Sequence, residues 1–263
     1  MTRTLWQAAK WAREYGAPAV TIMGLIGLWE FVCRAARIPV WLLPAPSAIV
    51  RESWKWVDTL PGHLWVTFYE VVGGFAVSVL VGVPLAILIV YSPFVRKSLY
   101  PVLLVFQSVP KVALAPLFLI WVGYGATSNI LVAAIVAFFP MVVNTAAGLD
   151  SVEPELLQLT RSLNAGTLQV FWKIRLPWAL PHIFSGMKVA MTLAVIGAVV
   201  GEFVGSDKGL GYLILTASSN MNTALVFGVM VVLSLLGIVA FWAVCIAENV
   251  ACPWYLPADE EGK

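Results

Sequence analysis

Apolar runs of membrane-crossing length recur along the chain, and short polar clusters separate them. A helix needs about 20 mostly apolar residues to cross the hydrocarbon core. Six stretches meet that length: about Pro18–Ala36, Phe68–Tyr91, Ser98–Val122, Asn129–Leu149, Ser185–Val204 and Ala224–Ala247. The expected fold class is all-α transmembrane, with six helices. Gly and Asn in connections such as "GYGATSN" (Gly123–Asn129) suit tight reversals. The segment before the first run, Met1–Gly16, is polar and amphipathic, with Arg3, Lys10 and Arg13. No small-residue cleavage site follows it, so the first helix is expected to be retained. The expected division is a terminal segment at 1–17, one membrane domain at 18–247 and a polar tail at 248–263.

Two polar stretches are too long for turns. In "PSAIVRESWKWVD" (Pro46–Asp58), Val50, Trp54 and Val57 recur at helical spacing among Arg51, Glu52, Lys55 and Asp58. That pattern predicts a short helix lying in the membrane interface, read as a strut ahead of a docking element. The second stretch, 150–184, predicts two short helices. Pro154 suits a first helical turn, with Glu153 and Glu155 at the positive end of the helix dipole. Leu156, Leu157, Leu159 and Leu163 follow, and "NAG" (Asn164–Gly166) tolerates the left-handed backbone that ends a helix. The next short helix, Thr167–Ile174, is expected to stop at Pro177 and Pro181. The product is a compact helix–turn–helix displaying leucines and Arg161, a protein-docking shape.

Composition agrees with the pattern. Of 263 residues, 60% are hydrophobic and only 11% charged, with 12 Trp and a mean hydropathy of +0.89. A soluble domain keeps roughly a quarter of its residues charged, and indole prefers the headgroup layer. The net charge of +2 is too small to point to nucleic acid. Cys33, Cys245 and Cys252 fit no metal spacing and no CxxC pair, and read as packing residues. With both termini cytoplasmic, ten Lys or Arg fall inside (Arg3, Lys10, Arg13, Arg96, Lys97, Arg161, Lys173, Arg175, Lys188, Lys263). Five fall outside (Arg34, Arg37, Arg51, Lys55, Lys208), with Lys111 in the membrane. The positive-inside rule favours that orientation. No GxxxxGK[ST], HExxH or GxSxG pattern occurs, so neither ATP hydrolysis nor membrane-embedded catalysis is expected of this chain.

The 150–184 stretch also carries a recognisable spacing. Gln158, Leu159 and Thr160, then Asn164, then Ile174, Leu176 and Pro177 resemble the cytoplasmic loop of binding-protein-dependent ABC importer permeases. That loop reads EAA, three residues, G, nine residues, I-x-L-P. The departures are Gln for Glu, Leu and Thr for the alanines, and Asn for Gly. Further stretches resemble the sulfonate, nitrate and taurine type of permease: "LPAPSAIV" (Leu43–Val50), "VPKVALAPLFLIWVGYG" (Val109–Gly125) and "GEFVGSDKGLGYLI" (Gly201–Ile214). The resemblance implies a six-helix permease of the MetI-like type in a bacterial inner membrane. It implies a homodimer working with two ATPase subunits and an external solute-binding protein. ATP and Mg would be bound by the ATPase, and this chain would need no cofactor. It also assigns a coupling loop made of Leu156, Gln158, Leu159, Thr160, Arg161, Asn164, Gly166, Ile174, Leu176 and Pro177. Sulfonate-, taurine- or nitrate-like anions lead the solute classes, with pyrimidine precursors or aromatic acids behind them.

Ionisable and helix-breaking residues inside the membrane complete the picture. Lys111 sits near the centre of the third run, where a lysine costs about 2.5–3.5 kcal/mol. It therefore faces a cavity or a partner. It reads equally as a pathway residue or as a structural lysine paired with a carboxylate or carbonyl. Pro110 and Pro116 flank it, so a kink is expected there. Glu202 either gates an exit or reaches the headgroups, and Glu70 and Glu30 read as interfacial. Gly73, Gly74 and Gly82 read as close helix packing, and His182 as a helix-end residue. An ATP-independent carrier or channel is the rival class. It would need paired intramembrane ionisable residues or inverted repeats; one central Lys and no clear repeat are what the sequence offers.

Overall fold

The computed structural model describes residues 20–255. The polar segment Met1–Gly16 and the charged ends Arg3, Lys10, Arg13 and Lys263 lie outside the described residues. Every regular element in the described residues is helical. In chain order these are α1 (20–35), α2 (Pro46–Lys55), α3 (Leu60–Tyr91), α4 (Pro93–Gln107), a 3₁₀ turn (Lys111–Leu114) and α5 (Ala115–Val122). They continue with α6 (Ala126–Asp150), α7 (Pro154–Ser162), α8 (Thr167–Val170), a π-helical segment (Phe171–Arg175), α9 (Leu176–Gly205), α10 (Leu210–Ser219) and α11 (Thr223–Ala251).

Among the described residues, four helical spans are long and apolar enough to cross a membrane: Leu60–Tyr91, Ala126–Asp150, Thr167–Gly205 and Thr223–Ala251. The pair Pro93–Gln107 and Lys111–Val122 makes a fifth if taken as one broken span. The first run is helical over 20–35, starting at the edge of the described residues.

The third run is thus not one kinked helix. It is two helices bent by 92°. Pro110 lacks an N–H and biases Val109 away from helical backbone, so α4 ends at Gln107 and the chain restarts as a 3₁₀ turn at Lys111. A second correction concerns Pro177 and Pro181. They do not stop the helix that begins at Thr167. Pro177 falls in the first turn of α9, and the π-helical turn before it rearranges the hydrogen-bond ladder just where a proline N–H is missing. Helix therefore runs unbroken from Thr167 to Gly205. His182 accordingly lies within α9 rather than at a helix end.

Two compact units make up the described residues. One holds 20–60 together with Leu213–Val231. There α2 forms where the strut was expected, closed by Pro46 at its start. Glu30 fixes that start by accepting from the Ser47 N–H at 3.0 Å and its hydroxyl at 2.7 Å. Glu52 accepts from Lys55 at 2.6 Å and from the Asn222 amide at 3.0 Å, and these two donors hold its carboxyl below the usual carboxylate range. Val50 and Trp54 of α2 stay exposed.

The other unit holds Pro61–Tyr212 and residues 232–255. Its core is the packing of α3, α6 and α9, and small residues set how closely they approach. A Cβ on Gly197 would lie 2.6 Å from Ala133 Cα, and one on Gly201 would lie 2.9 Å from Asn129 Cα. One on Gly74 would collide with the Ala133 methyl, and one on Gly82 would meet Met141 at 3.2 Å. Lipid supplies no hydrophobic drive for helices to associate, so such close backbone contact carries the packing. Ala133, Ala137, Ala190, Ala194 and Ala198 on the same seam are fully buried. Arg96 to Asp150 at 2.9 Å and Lys188 to Glu248 at 2.5 Å tie α4 to α6 and α9 to α11.

Candidate functional site: the helical loop and the polar interior

The loop 150–184 forms a helical hairpin between α6 and α9. Pro154 opens α7 with Glu155 in its first turn and Arg161 in its last, each sign matching the helix dipole. The helix stops at Asn164, whose φ of 54° is left-handed. Two hydrogen bonds close the end: Ala165 N–H donates to Thr160 O and Asn164 N–H to Arg161 O, both at 3.0 Å. That is the paired pattern of a Schellman cap, and Asn supports it because its short polar side chain tolerates this backbone. Gly166 then opens α8, its N–H donating to the Gln169 side chain at 3.2 Å.

The hairpin leaves its apolar side chains uncovered. Leu159 is 55% exposed, Leu163 72%, Leu168 74% and Trp172 60%. Beside them lies a cleft of about 190 Å³ lined by Tyr91, Thr160, Arg161, Thr167 and Arg175, among others. Arg175 stacks on Tyr91 at 5.2 Å, and neither arginine has an ion-pair partner among the described residues. Of the residues singled out in this loop, Gln158, Leu159, Arg161, Asn164 and Gly166 are exposed or half-exposed on it; Thr160 is buried and Leu176 joins the core.

Lys111 stands at the break between α4 and α5. Its Nζ donates to the Gln107 carbonyl at 2.8 Å and sits 4.9 Å from the centre of the Phe139 ring. The broken backbone thus frees a carbonyl, and the lysine takes it up. Pro110 precedes the 3₁₀ turn, and Pro116 opens α5.

Glu202 and Glu70 are enclosed by other helices rather than turned to the surroundings. They are 1% and 0% exposed. Glu202 accepts from the Thr67 hydroxyl at 2.6 Å and from the Gly211 N–H, while Thr67 accepts from the Leu210 N–H at 2.8 Å. Glu70 accepts from the Asn129 amide at 2.8 Å. A Cβ on Gly209 or Gly211 would collide with the Glu202 carboxylate. Glycine is therefore required on both sides of Leu210. Thr67, Asn129 and helix α10 are not among the features the sequence pattern singles out. One signal was present: His63, Thr67 and Glu70 lie four and three residues apart, a polar stripe on one face of an otherwise apolar helix. His63 completes it, its Nδ1 3.1 Å from both the N and O of Gly209. Lys111 and Glu202 have separate sets of partners.

Comparison with known proteins adds to these observations. The formylaminopyrimidine transport permease protein ThiX of Halalkalibacterium halodurans is 36% identical over 92% of this chain and 98% of its own length. The riboflavin transport system permease protein RibX of Chloroflexus aurantiacus is 32% identical over 89% of this chain and 88% of its own. The taurine transport system permease protein TauC of Escherichia coli is 28% identical over 89% and 88%. Among solved structures, a chain of the MetNI methionine ABC transporter in an inward-facing conformation shares the fold. Its TM-score is 0.67 at 20% identity, over 75% of this chain and 98% of that one. The model of the binding-protein-dependent transport system inner membrane component family matches residues 78–249, which take in the broken span, the helical hairpin and the small-residue seam. With that match over more than half its length, the chain belongs to this family of transporter permeases.

Proposed function

We propose that this chain is the membrane subunit of an ATP-driven importer and that the hairpin 150–184 couples it to the ATPase. The observation that carries the reading is the uncovered row Leu159, Leu163 and Leu168 on a hairpin continuous with α9. A partner seated on α7 would push on an element joined to a 39-residue helix. A rigid helix conducts such a displacement into the α3, α6 and α9 core, where close backbone contact resists local deformation. The transport cycle is alternating access: closure of two ATPase subunits moves the hairpins of two permease copies, and the pathway opens toward the binding protein. The hairpin and both termini face the cytoplasm. ATP and Mg reside in the partner subunits.

For the solute, we place a small heterocycle of the pyrimidine class ahead of sulfonate-like anions. The 36% identity to the formylaminopyrimidine permease, against 28% to the taurine permease, supports that order. Competition of unlabelled formylaminopyrimidine and taurine for uptake would rank the two. Coupling is tested by Leu159→Asp, which sets a charge on the docking surface. An unpaired charge in a desolvated interface costs several kcal/mol, so transport is expected to fall to background while the chain still inserts. Full transport and retained ATPase association in that variant would overturn the coupling role.

A further inference from the structure

The transport reading uses neither Glu70 nor Glu202, yet these are the two most deeply buried ionisable side chains among the described residues. Shared neighbours bring their carboxyls to one place: Thr67, one turn from Glu70 on α3, donates to Glu202, and Asn129, which donates to Glu70, packs against Gly201 beside Glu202. Three of the four oxygens have a donor. Glu202 Oε1 takes the Thr67 O–H, Glu202 Oε2 takes the Gly211 N–H and Glu70 Oε1 takes the Asn129 amide. The fourth, Glu70 Oε2, is buried with no hydrogen-bond partner. Among the described residues, no lysine or arginine pairs with either carboxyl.

Two adjacent carboxylates without a cation cannot both stay ionised out of water, because their repulsion adds to the desolvation of each. A proton on one of them removes the repulsion and supplies the donor that Glu70 Oε2 lacks. We propose that Glu70 and Glu202 form a proton-binding site in the helical core, one proton held between the two carboxyls. The bound proton keeps Glu202 in place to accept from the first turn of α10, so it fastens that turn to α3, α6 and α9. The groups around the pair leave this balance undisturbed. From α3 come Thr67 and His63, the latter bonded to Gly209. From α6 comes the neutral Asn129, and from the turn before α10 come backbone N–H groups. Asp207 and Lys208 of that turn are exposed.

Infrared spectra of the purified chain in lipid nanodiscs at neutral pH test the site directly. Glu30, Glu52, Asp150 and Glu248 are paired with cations, and Asp58, Glu153, Glu155 and Asp207 are exposed. A carboxylic-acid carbonyl band that shifts in heavy water is expected in the wild type, and its loss in Glu70→Gln assigns it to this pair. Glu70→Gln should abolish it and still fold, since the new amide N–H can donate to Glu202 in the proton's place. Stability gives a second readout: with the proton's place taken by an amide N–H, the melting temperature of Glu70→Gln should depend less on pH than that of the wild type. Absence of the acid band in the wild type would overturn the proposal. So would a wild-type melting temperature raised by Na⁺ or K⁺ at constant ionic strength and unaffected in Glu70→Gln, because a metal cation would then occupy the place of the proton. If Glu70→Gln fails to fold, the wild-type spectra in light and heavy water still decide it.

Discussion

Replacing Gly197 with alanine tests whether close backbone contact between α6 and α9 holds the core. The added Cβ would sit 2.6 Å from Ala133 Cα and 3.1 Å from the Val132 carbonyl oxygen. Carbon atoms pack best at about 3.5–4.0 Å, so the methyl arrives about 1 Å too close. Both obstacles are backbone and cannot rotate away. The two helices must separate locally, which loosens Ala133, Ala194 and Ala198 together. Overpacking of this kind costs about 1–3 kcal/mol, and the better helix propensity of alanine returns about 0.5–1 kcal/mol. A net loss of about 1–2 kcal/mol lowers the melting temperature by roughly 3–6 °C in a chain of this size. Gly27→Ala is the matched control, because a Cβ there meets nothing within 4 Å. The assay is thermal unfolding of the purified variants followed by size-exclusion chromatography. A Gly197→Ala chain that melts at or above the wild-type temperature, beside a Gly27→Ala chain that is not destabilised, would refute the packing account.

Asn164→Gly should leave loop stability and uptake unchanged, whereas Asn164→Val should cost roughly 1–2 kcal/mol at this left-handed position; the rate of proteolytic nicking near residue 164 reads the difference. Lys111→Met should leave folding nearly intact, because the lysine's hydrogen bond is to a single carbonyl at the helix break, and should slow uptake if the break lines the solute path. Normal uptake by a stable Lys111→Met complex would remove the residue from the pathway. A cysteine at Gln169 should react with an impermeant reagent only from the cytoplasmic side, and one at Asn220 only from outside; labelling of Gln169 in intact cells would reverse the orientation.

Periodicity and length were enough for the features that depend on neighbours in the chain. The apolar runs gave α3, α6, α9 and α11 because burial in lipid needs only local composition and length. Pro154 and Asn164 marked the two ends of α7, since capping is settled within a few residues. The close-packing role of Gly74 and Gly82 was legible for a similar reason: small residues on a membrane helix have few other uses. Tertiary structure decided what depends on distant partners. Pro177 reads as a helix stop in isolation, but a π-helical turn ahead of it and the packing of half-buried Leu176 against the core carry the helix through. The break at Pro110 is 92°, and its two halves meet α6 separately, α4 through Leu103 against Phe139 and Val142 and α5 through contacts of its own. Glu70 and Glu202 looked like surface acids because a carboxylate in an apolar run is affordable only where the chain brings it donors. Those donors, Asn129, Thr67 and Gly211, come from other elements, Asn129 being 59 residues from Glu70 and Thr67 135 from Glu202. Only the folded packing of α3, α6 and α9 brings them together.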